Sequence, residues 1–415
     1  MSLSLNRRLS ARSLLLAGAI GAALVAGPAA HADDVLGQAV GKDLQQAQSA
    51  LAAKSYEKAM AAVDAADAVK GKTDYESYTI AQMRAAVAAQ SGNVAAATKA
   101  YDVLINSSRT PKAAKGQMLM AQATMAYGAK NYAAAIPPTE RYLHEHGPDP
   151  RMQTMLIQCY YLQGDWKGTA KAAQEQVDET IKAGKIPAEN QLQMLATAYT
   201  NLKDADAKTH AYVLLAKYYS KPDYWAMLIH DLVANPNLAP PLVFYVERLR
   251  LATGVLKDPS DYQDMGERAV QLGLPQLALN LLNQGYANKS LGNGPTAAGD
   301  AKFHAFVAQR AAADRAQLAQ ATASAATDPS AGPALTTGYN LVLNGQADQG
   351  LALMKTGLGK NPHYPDLAQV EFGMAQMDAG HKADAIKTFE SITGNGPAKD
   401  VAELWALLLS RPAAH

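Results

Sequence analysis

Apolar residues recur along this chain at intervals of three and four, and glycine, proline and small polar residues interrupt the pattern roughly every 30–40 residues. The short interval is that of an amphipathic helix, whereas the alternation typical of strands forms no sustained run. A helical hairpin cannot bury its own apolar face, so hairpins that recur in tandem must stack on one another. The pattern therefore predicts an all-α protein built from helix–turn–helix repeats.

The clearest repeat lies near the C-terminus, where five marked residues recur at a constant separation of 35. The first copy contains Gly338, Gly345, Gly350, Met354 and Pro362, and the second contains Gly373, Gly380, Ala385, Phe389 and Pro397. We expect the small residues to let the two helices of a hairpin approach closely. The glycine between them should take the left-handed conformation that ends a helix, and the proline should end the unit.

Turn sequences of the same kind mark repeats through the N-terminal half, at separations of 38, 38 and 34. They are Lys54-Ser55-Tyr56, Gly92-Asn93-Val94, Lys130-Asn131-Tyr132 and Gly164-Asp165-Trp166. A weaker unit has Lys203 at its turn, and residues 224–253 indicate a degenerate hairpin with Pro240-Pro241 between its helices. Residues 301–326 indicate a long helix rich in Ala and Gln, and 327–333 a linker.

The order of small, aromatic, glycine and proline positions resembles that of the tetratricopeptide repeat over roughly 36–290 and 333–411. This resemblance implies a right-handed superhelix of helix–turn–helix units. We expect a repeat superhelix over 33–290, a long Ala-rich helix and linker over 291–332, and a C-terminal repeat pair with a capping helix over 333–415.

The first 32 residues have the three-part layout of a secretory signal peptide. An apolar run, Leu14–Ala26, follows a basic stretch that contains Arg7, Arg8 and Arg12. Small residues at Ala30 and Ala32 predict cleavage after Ala32, and the apolar run is shorter than the ~20 residues that span a bilayer. We therefore expect a periplasmic or secreted protein with no transmembrane segment in its mature chain.

The balance of charged residues limits the possible partners, and the number of cysteines limits the possible disulfides. The chain has 38 basic and 37 acidic residues, and this balance argues against nucleic acid as a partner because phosphate binding needs clustered positive charge. Cys159 is the only cysteine, so no internal disulfide can form, and we expect a buried thiol.

In the tetratricopeptide repeat the first helix of each hairpin lines the concave face, so the resemblance implies which side chains meet a partner. Most are neutral hydrogen-bonding residues, which suit an extended peptide or an uncharged polar ligand. The predicted groove consists of Gln82, Gln117, Thr124, Tyr127, Arg151, Thr154, Gln158, Tyr161, Asn190, Gln193, Thr197 and Asn201. The alternative is an ordinary solvated helix surface, although such surfaces usually carry more charge.

The same positions in the C-terminal repeats are apolar, and they define a second candidate groove. Its residues are Leu335, Tyr339, Val342, Val370, Met374 and Met377. An apolar face of this kind must be covered, either by the chain itself or by a helix of a partner.

No phosphate-binding loop, nucleophile elbow or metalloprotease helix occurs in the sequence, so we expect a non-enzymatic protein without cofactor or metal. His144-Glu145-His146 offers alternate ligands in an expected surface loop, with no third ligand nearby. The resemblance favours an adaptor that binds a segment of another cell-envelope protein. The chain looks similar to periplasmic repeat proteins of proteobacteria, some of which accompany TonB-type transport or envelope assembly.

The alternative is a carrier or sensor of a polar glycan or peptidoglycan fragment. In that case sugars would stack on aromatic side chains, for which the candidates are Tyr127, Tyr161, Tyr218, Tyr219 and Trp225. A helical transglycosylase would need a separate catalytic domain with a general-acid Glu, and the repeats leave too few residues for one.

Overall fold

The computed structural model describes residues 34–235, 238–256 and 258–411. Within these ranges the regular elements are twenty α-helices in tandem and a short 3-10 helix at Gly294–Thr296, with no strand. The predicted all-α class of tandem helical repeats is therefore confirmed. The predicted signal peptide over residues 1–32 lies outside the described residues.

The chain divides into two compact units, Met1–Ala183 and Gly184–His415. The described part of the first unit contains four hairpins in succession, and each helix packs against the next one along the chain. The helices are α1 (Gln38–Ala52), α2 (Tyr56–Ala68), α3 (Asp74–Ser91), α4 (Val94–Asn106), α5 (Lys112–Gly128), α6 (Tyr132–His146), α7 (Pro150–Gln163) and α8 (Trp166–Lys182).

The second unit begins with three hairpins, continues into a 31-residue helix, and ends with two further hairpins and a final helix. The hairpins before the long helix are α9 (Glu189–Leu202), α10 (Ala205–Tyr218), α11 (Pro222–Val233), α12 (Pro240–Ala252), α13 (Pro259–Gln271) and α14 (Pro275–Ala287). The later helices are α15 (Ala297–Thr327), α16 (Ala331–Leu343), α17 (Ala347–Leu358), α18 (Pro365–Asp378), α19 (Lys382–Glu390) and α20 (Pro397–Ser410).

The turn positions predicted from the sequence share one backbone conformation. Five successive hairpins have a residue with positive φ at the turn, namely Lys54, Gly92, Lys130, Gly164 and Lys203, with φ of 56°, 73°, 58°, 71° and 59°. A lysine is costly in this left-handed region, so its presence at three of the turns indicates that the turn requires this conformation even where no glycine is present. The repeat register of the N-terminal half is thereby confirmed.

Side-chain caps start the second helix of four of these hairpins. Asn93, Asn131, Asp165 and Asp204 each accept a hydrogen bond from the backbone N–H three residues further along the chain. These short polar side chains satisfy one of the free N–H groups of the first turn. Each turn thus ends one helix and starts the next within two residues.

Close helix approach explains the small residues of the C-terminal repeats. A Cβ added at Gly338 would lie 2.5 Å from Met354 Cγ, and one added at Gly373 would lie 2.5 Å from Phe389 Cε1. In both hairpins the bulky residue of the second helix therefore lies over the glycine of the first. The close approach of the two helices, predicted from the 35-residue spacing, is confirmed.

The C-terminal helices pack onto earlier helices of the same unit. Helix α20 contacts α18 and α19, and it also contacts α10, α11 and α12. The indole N–H of Trp405, which is 2% exposed, donates to the backbone carbonyl of Tyr245 at 3.1 Å.

The predicted boundaries at 290 and 332 concern the grouping of repeats and stay predictions, whereas the compact units divide between residues 183 and 184.

Two local expectations were wrong. The predicted linker over 327–333 is only three residues long, because α15 continues to Thr327 and α16 begins at Ala331. The segment His144-Glu145-His146 is the last turn of α6 and not a loop. Gly147, with positive φ, ends that helix, so all three residues of the expected loop are helical.

Candidate functional site

The predicted polar groove of the first unit lies on the first helices of three neighbouring hairpins. Helix α3 carries Gln82, and α5 carries Gln117, Thr124 and Tyr127. Helix α7 carries Arg151, Thr154, Gln158 and Tyr161. None of these eight side chains is buried. We call them the polar wall.

A hydrogen bond links two helices across the polar wall. The Tyr127 hydroxyl donates to Gln158 Oε1 at 2.8 Å, and the two residues are 31 positions apart on α5 and α7. The side chain of Tyr161 meets Trp166 edge to face, with ring centroids 5.6 Å apart. Tyr127 and Tyr161 thus also hold the hairpins together. The most exposed members of the wall are Gln117, Thr124 and Arg151.

The remaining predicted groove residues belong to the second unit, where Asn190, Gln193, Thr197 and Asn201 lie on α9. All four are at least partly exposed. The Gln193 side chain donates to the Tyr224 hydroxyl at 2.7 Å, and the Asn201 side chain donates to the carbonyl of Thr197 at 2.8 Å. The Thr197 hydroxyl donates to the carbonyl of Gln193 at 2.8 Å, so three of the four side chains are held by contacts within the protein.

An ion pair next to α9 fixes the same region. Lys221 Nζ lies 2.6 Å from Glu189 Oε1, and the Tyr224 hydroxyl also donates to this carboxylate. Burial acts to raise the pKa of Glu189, but the hydrogen bonds from Lys221 and Tyr224 hold it below its ordinary value. The carboxylate therefore remains ionised and anchors α11 to the start of α9.

The apolar candidate groove is covered by the protein itself. Five of its six side chains are buried, with exposures of 6% for Leu335, 2% for Tyr339, 6% for Val342 and 0% for Val370 and Met374. Met377 is partly exposed. The sequence left open whether the chain itself or a partner covers this face, and in the structure the chain itself covers it.

The aromatic residues of the glycan alternative are only partly available. Trp225 is 0% exposed, and its indole N–H donates to Ser220 Oγ at 2.9 Å. The Tyr219 hydroxyl donates to the carbonyl of Pro187 at 2.6 Å. Trp225 therefore cannot stack against a sugar, because both faces of its ring are inside the protein.

Sequence reasoning missed Glu371, which lies on α18 among the buried residues of the apolar face. The side chain is partly exposed, and it forms no hydrogen bond or ion pair with the residues that the structure describes. Burial raises the pKa of its carboxyl from 4.5 to about 7. The available signal was a single Glu between Val370 and Met374, at positions otherwise occupied by apolar residues.

The raised pKa of Glu371 predicts a pH-dependent stability. The folded-state pKa lies above the unfolded value, so its contribution to stability is complete below pH 4.5 and is lost as the pH rises through about 7. We expect the free energy of unfolding of Glu371→Gln, relative to the natural chain, to increase by about 2 kcal/mol between pH 5 and pH 8. Urea denaturation at both pH values measures this difference, and Glu390→Gln, at an exposed position on α19, should show none.

The described residues were also compared with the requirements of a reactive thiol, a metal site and a membrane-spanning helix. Cys159 is a buried free thiol, as predicted, and burial raises its pKa to about 11. Across 34–235, 238–256 and 258–411, no group of three His, Cys, Asp or Glu side chains is placed to hold a metal ion. A search of the same residues finds no helix with the length and hydropathy needed to cross a bilayer.

No protein-family model matches this chain, and no curated protein matches it. Among solved structures it is similar to yeast Tom70, with 11% identity and a TM-score of 0.24, over 89% of this chain and 95% of that one. It is also similar to Naa15/Naa10 bound to HypK-THB, with 14% identity and a TM-score of 0.21, over 88% and 70% of the two chains. TM-scores this low carry no argument about function, and the repeat fold rests on the hairpins described above.

Proposed function

We propose that this protein is a non-enzymatic adaptor of the cell envelope, and that the polar wall binds an extended segment of another protein. The supporting observation is the composition and exposure of the wall. Seven of its eight side chains are uncharged and polar, and none is buried. Amide and hydroxyl groups that are open to solvent match the hydrogen-bonding groups of a peptide backbone.

The signal-peptide pattern of residues 1–32 supports a location in the periplasm or outside the cell. A link to TonB-type transport or envelope assembly follows only from the likeness to proteobacterial repeat proteins. The sequence contains no recognisable catalytic motif, and this supports a protein that binds a partner and catalyses no reaction.

Site-specific photo-crosslinking tests the adaptor proposal. We expect a photoreactive residue at Thr124, on the wall, to form a crosslink to a protein of the cell envelope. The same residue at Lys171, which is exposed on the second helix of the α7–α8 hairpin, should form none. Equal crosslinking from both positions would show that the wall is not the binding surface.

A pair of substitutions tests which side chains carry the binding. Gln117→Ala with Gln158→Ala should abolish the Thr124 crosslink, because both amides would be lost from adjacent helices. Helicity measured by circular dichroism should not change. The matched control, Lys171→Ala with Glu175→Ala on α8, should leave the crosslink intact. We avoid Tyr161 because its ring supports Trp166.

The glycan alternative remains a second candidate because Tyr127 and Tyr161 are partly exposed on the wall. A glycan array distinguishes it from the adaptor. Binding of peptidoglycan fragments that is lost in Tyr127→Ala, together with no protein crosslink at Thr124, would favour the carrier.

A further inference from the structure

An open cavity of about 430 Å³ lies beside α18 in the second unit. Its wall includes the apolar side chains of Leu335, Leu367 and Ala368, and Glu371 lies one turn further along α18. Tyr364, which is 65% exposed, stands at the rim with its ring edge-to-face against His363. The cavity therefore combines apolar side chains, an aromatic rim and a carboxylate with the polar side chains of Ser330, Lys360, Asn361 and His363.

The charged groups around the cavity leave this carboxylate without compensation. Lys360 also lines the cavity, but its ammonium group donates to the backbone carbonyls of Ala325 and Asp328, at 3.2 and 2.6 Å. Tyr245 on α12 interacts with Glu371 but is a neutral phenol, because burial and the charge of Glu371 both raise its pKa. The other titratable groups of the lining are His363 and Tyr364.

A carboxylate that is partly buried without a partner is destabilising, and a bound cation would remove that cost. Among the lining residues only Glu371 carries a carboxylate, so the cavity lacks the set of anionic oxygen ligands that a small metal ion needs. A cation on an aliphatic chain fits instead. Its methylene groups would contact Leu335 and Leu367, and its charge would reach both Glu371 and the ring of Tyr364.

We propose that this cavity binds a lysine or arginine side chain of a partner protein, with Glu371 as its counter-ion. The inference rests on the proposed adaptor function, since it names a feature of the partner. Its site lies in the second unit and shares no residue with the polar wall, so each proposal can fail while the other stands.

Ligand-observed NMR of the full chain tests the proposal, with Nα-acetyl-lysine methylamide as the probe. We expect saturable binding with a dissociation constant on the order of 1 mM. The norleucine analogue keeps the aliphatic chain and lacks the ammonium group, so it should bind at least about tenfold more weakly.

Two further results are expected because the probe binds the ionised carboxylate. Affinity should rise about tenfold from pH 6 to pH 8, since about one carboxyl in ten is ionised at pH 6 when its pKa is about 7. Glu371→Gln should lose both the binding and its pH dependence, whereas Glu390→Gln should keep them. Equal binding of the norleucine analogue, or full binding by Glu371→Gln, would overturn the proposal.

Discussion

Replacing Asp378 with alanine is expected to lower the free energy of unfolding of the second unit by about 3 kcal/mol. Arg248 Nη2 lies 2.7 Å from Asp378 Oδ1, and the two side chains are only 9% and 16% exposed. Arg248 also donates to the Tyr339 hydroxyl at 2.9 Å, and that hydroxyl donates to Asp378 at 2.6 Å. Without the carboxylate, a buried guanidinium and a buried hydroxyl would both lose their charged partner.

Urea denaturation followed by tryptophan fluorescence measures this loss. A Trp166→Phe background leaves Trp225 and Trp405 as reporters, and both belong to the second unit. The control replaces all three polar groups by apolar ones, as Arg248→Met, Tyr339→Phe and Asp378→Leu. This triple variant should recover most of the stability, because no buried charge remains unpaired. A loss below about 0.5 kcal/mol for Asp378→Ala would mean that water compensates Arg248.

Gly350→Ala should destabilise the same unit by about 3 kcal/mol, which is the upper end of the usual cost of overpacking. The added Cβ would lie 2.8 Å from the backbone N of Val342, and it would meet the carbonyl oxygen of Gly338 even more closely. Both of these atoms belong to the backbone of α16. No rotamer change can relieve the contact, so α16 and α17 would have to separate.

The matched control is Gly332→Ala in the first turn of α16, where an added Cβ meets nothing within 4 Å. Since alanine has the higher helix propensity, this change should be neutral or raise stability by up to about 1 kcal/mol. Thermal unfolding of the two variants beside the natural chain gives the comparison. Equal stability of all three proteins would show that the α16–α17 contact adapts to a methyl group.

The turns and the repeat spacing were predictable because they depend on local chemistry. Glycine or lysine followed by a short polar side chain ends one helix and caps the next, and that signal is contained in three consecutive residues. The close approach of the second helix at Gly338 and Gly373 was predictable because the 35-residue spacing repeats the same hairpin.

Other features of the same repeats were not predictable. Gly350 and Ala385 occupy equivalent positions and both read as small in the sequence, yet at this position of the second helix only the α16–α17 hairpin is close enough to require glycine. The partners of Arg248 lie 91 and 130 residues away along the chain. Glu371 looked like one more helical carboxylate, because a raised pKa depends on the neighbours that exclude water.

Sequence by itself determined that this chain is helical, where its hairpins turn, and which polar side chains of the first helices stay in contact with solvent. Those properties follow from intervals of three to four residues and from capping groups, which act within one or two turns of a helix. Tertiary structure alone decided that the apolar face of α16 and α18 is covered by the chain, and that a lone carboxylate beside it faces a cavity. Burial is set by contacts between helices that lie more than a hundred residues apart in the sequence, and no local sequence pattern predicts such contacts.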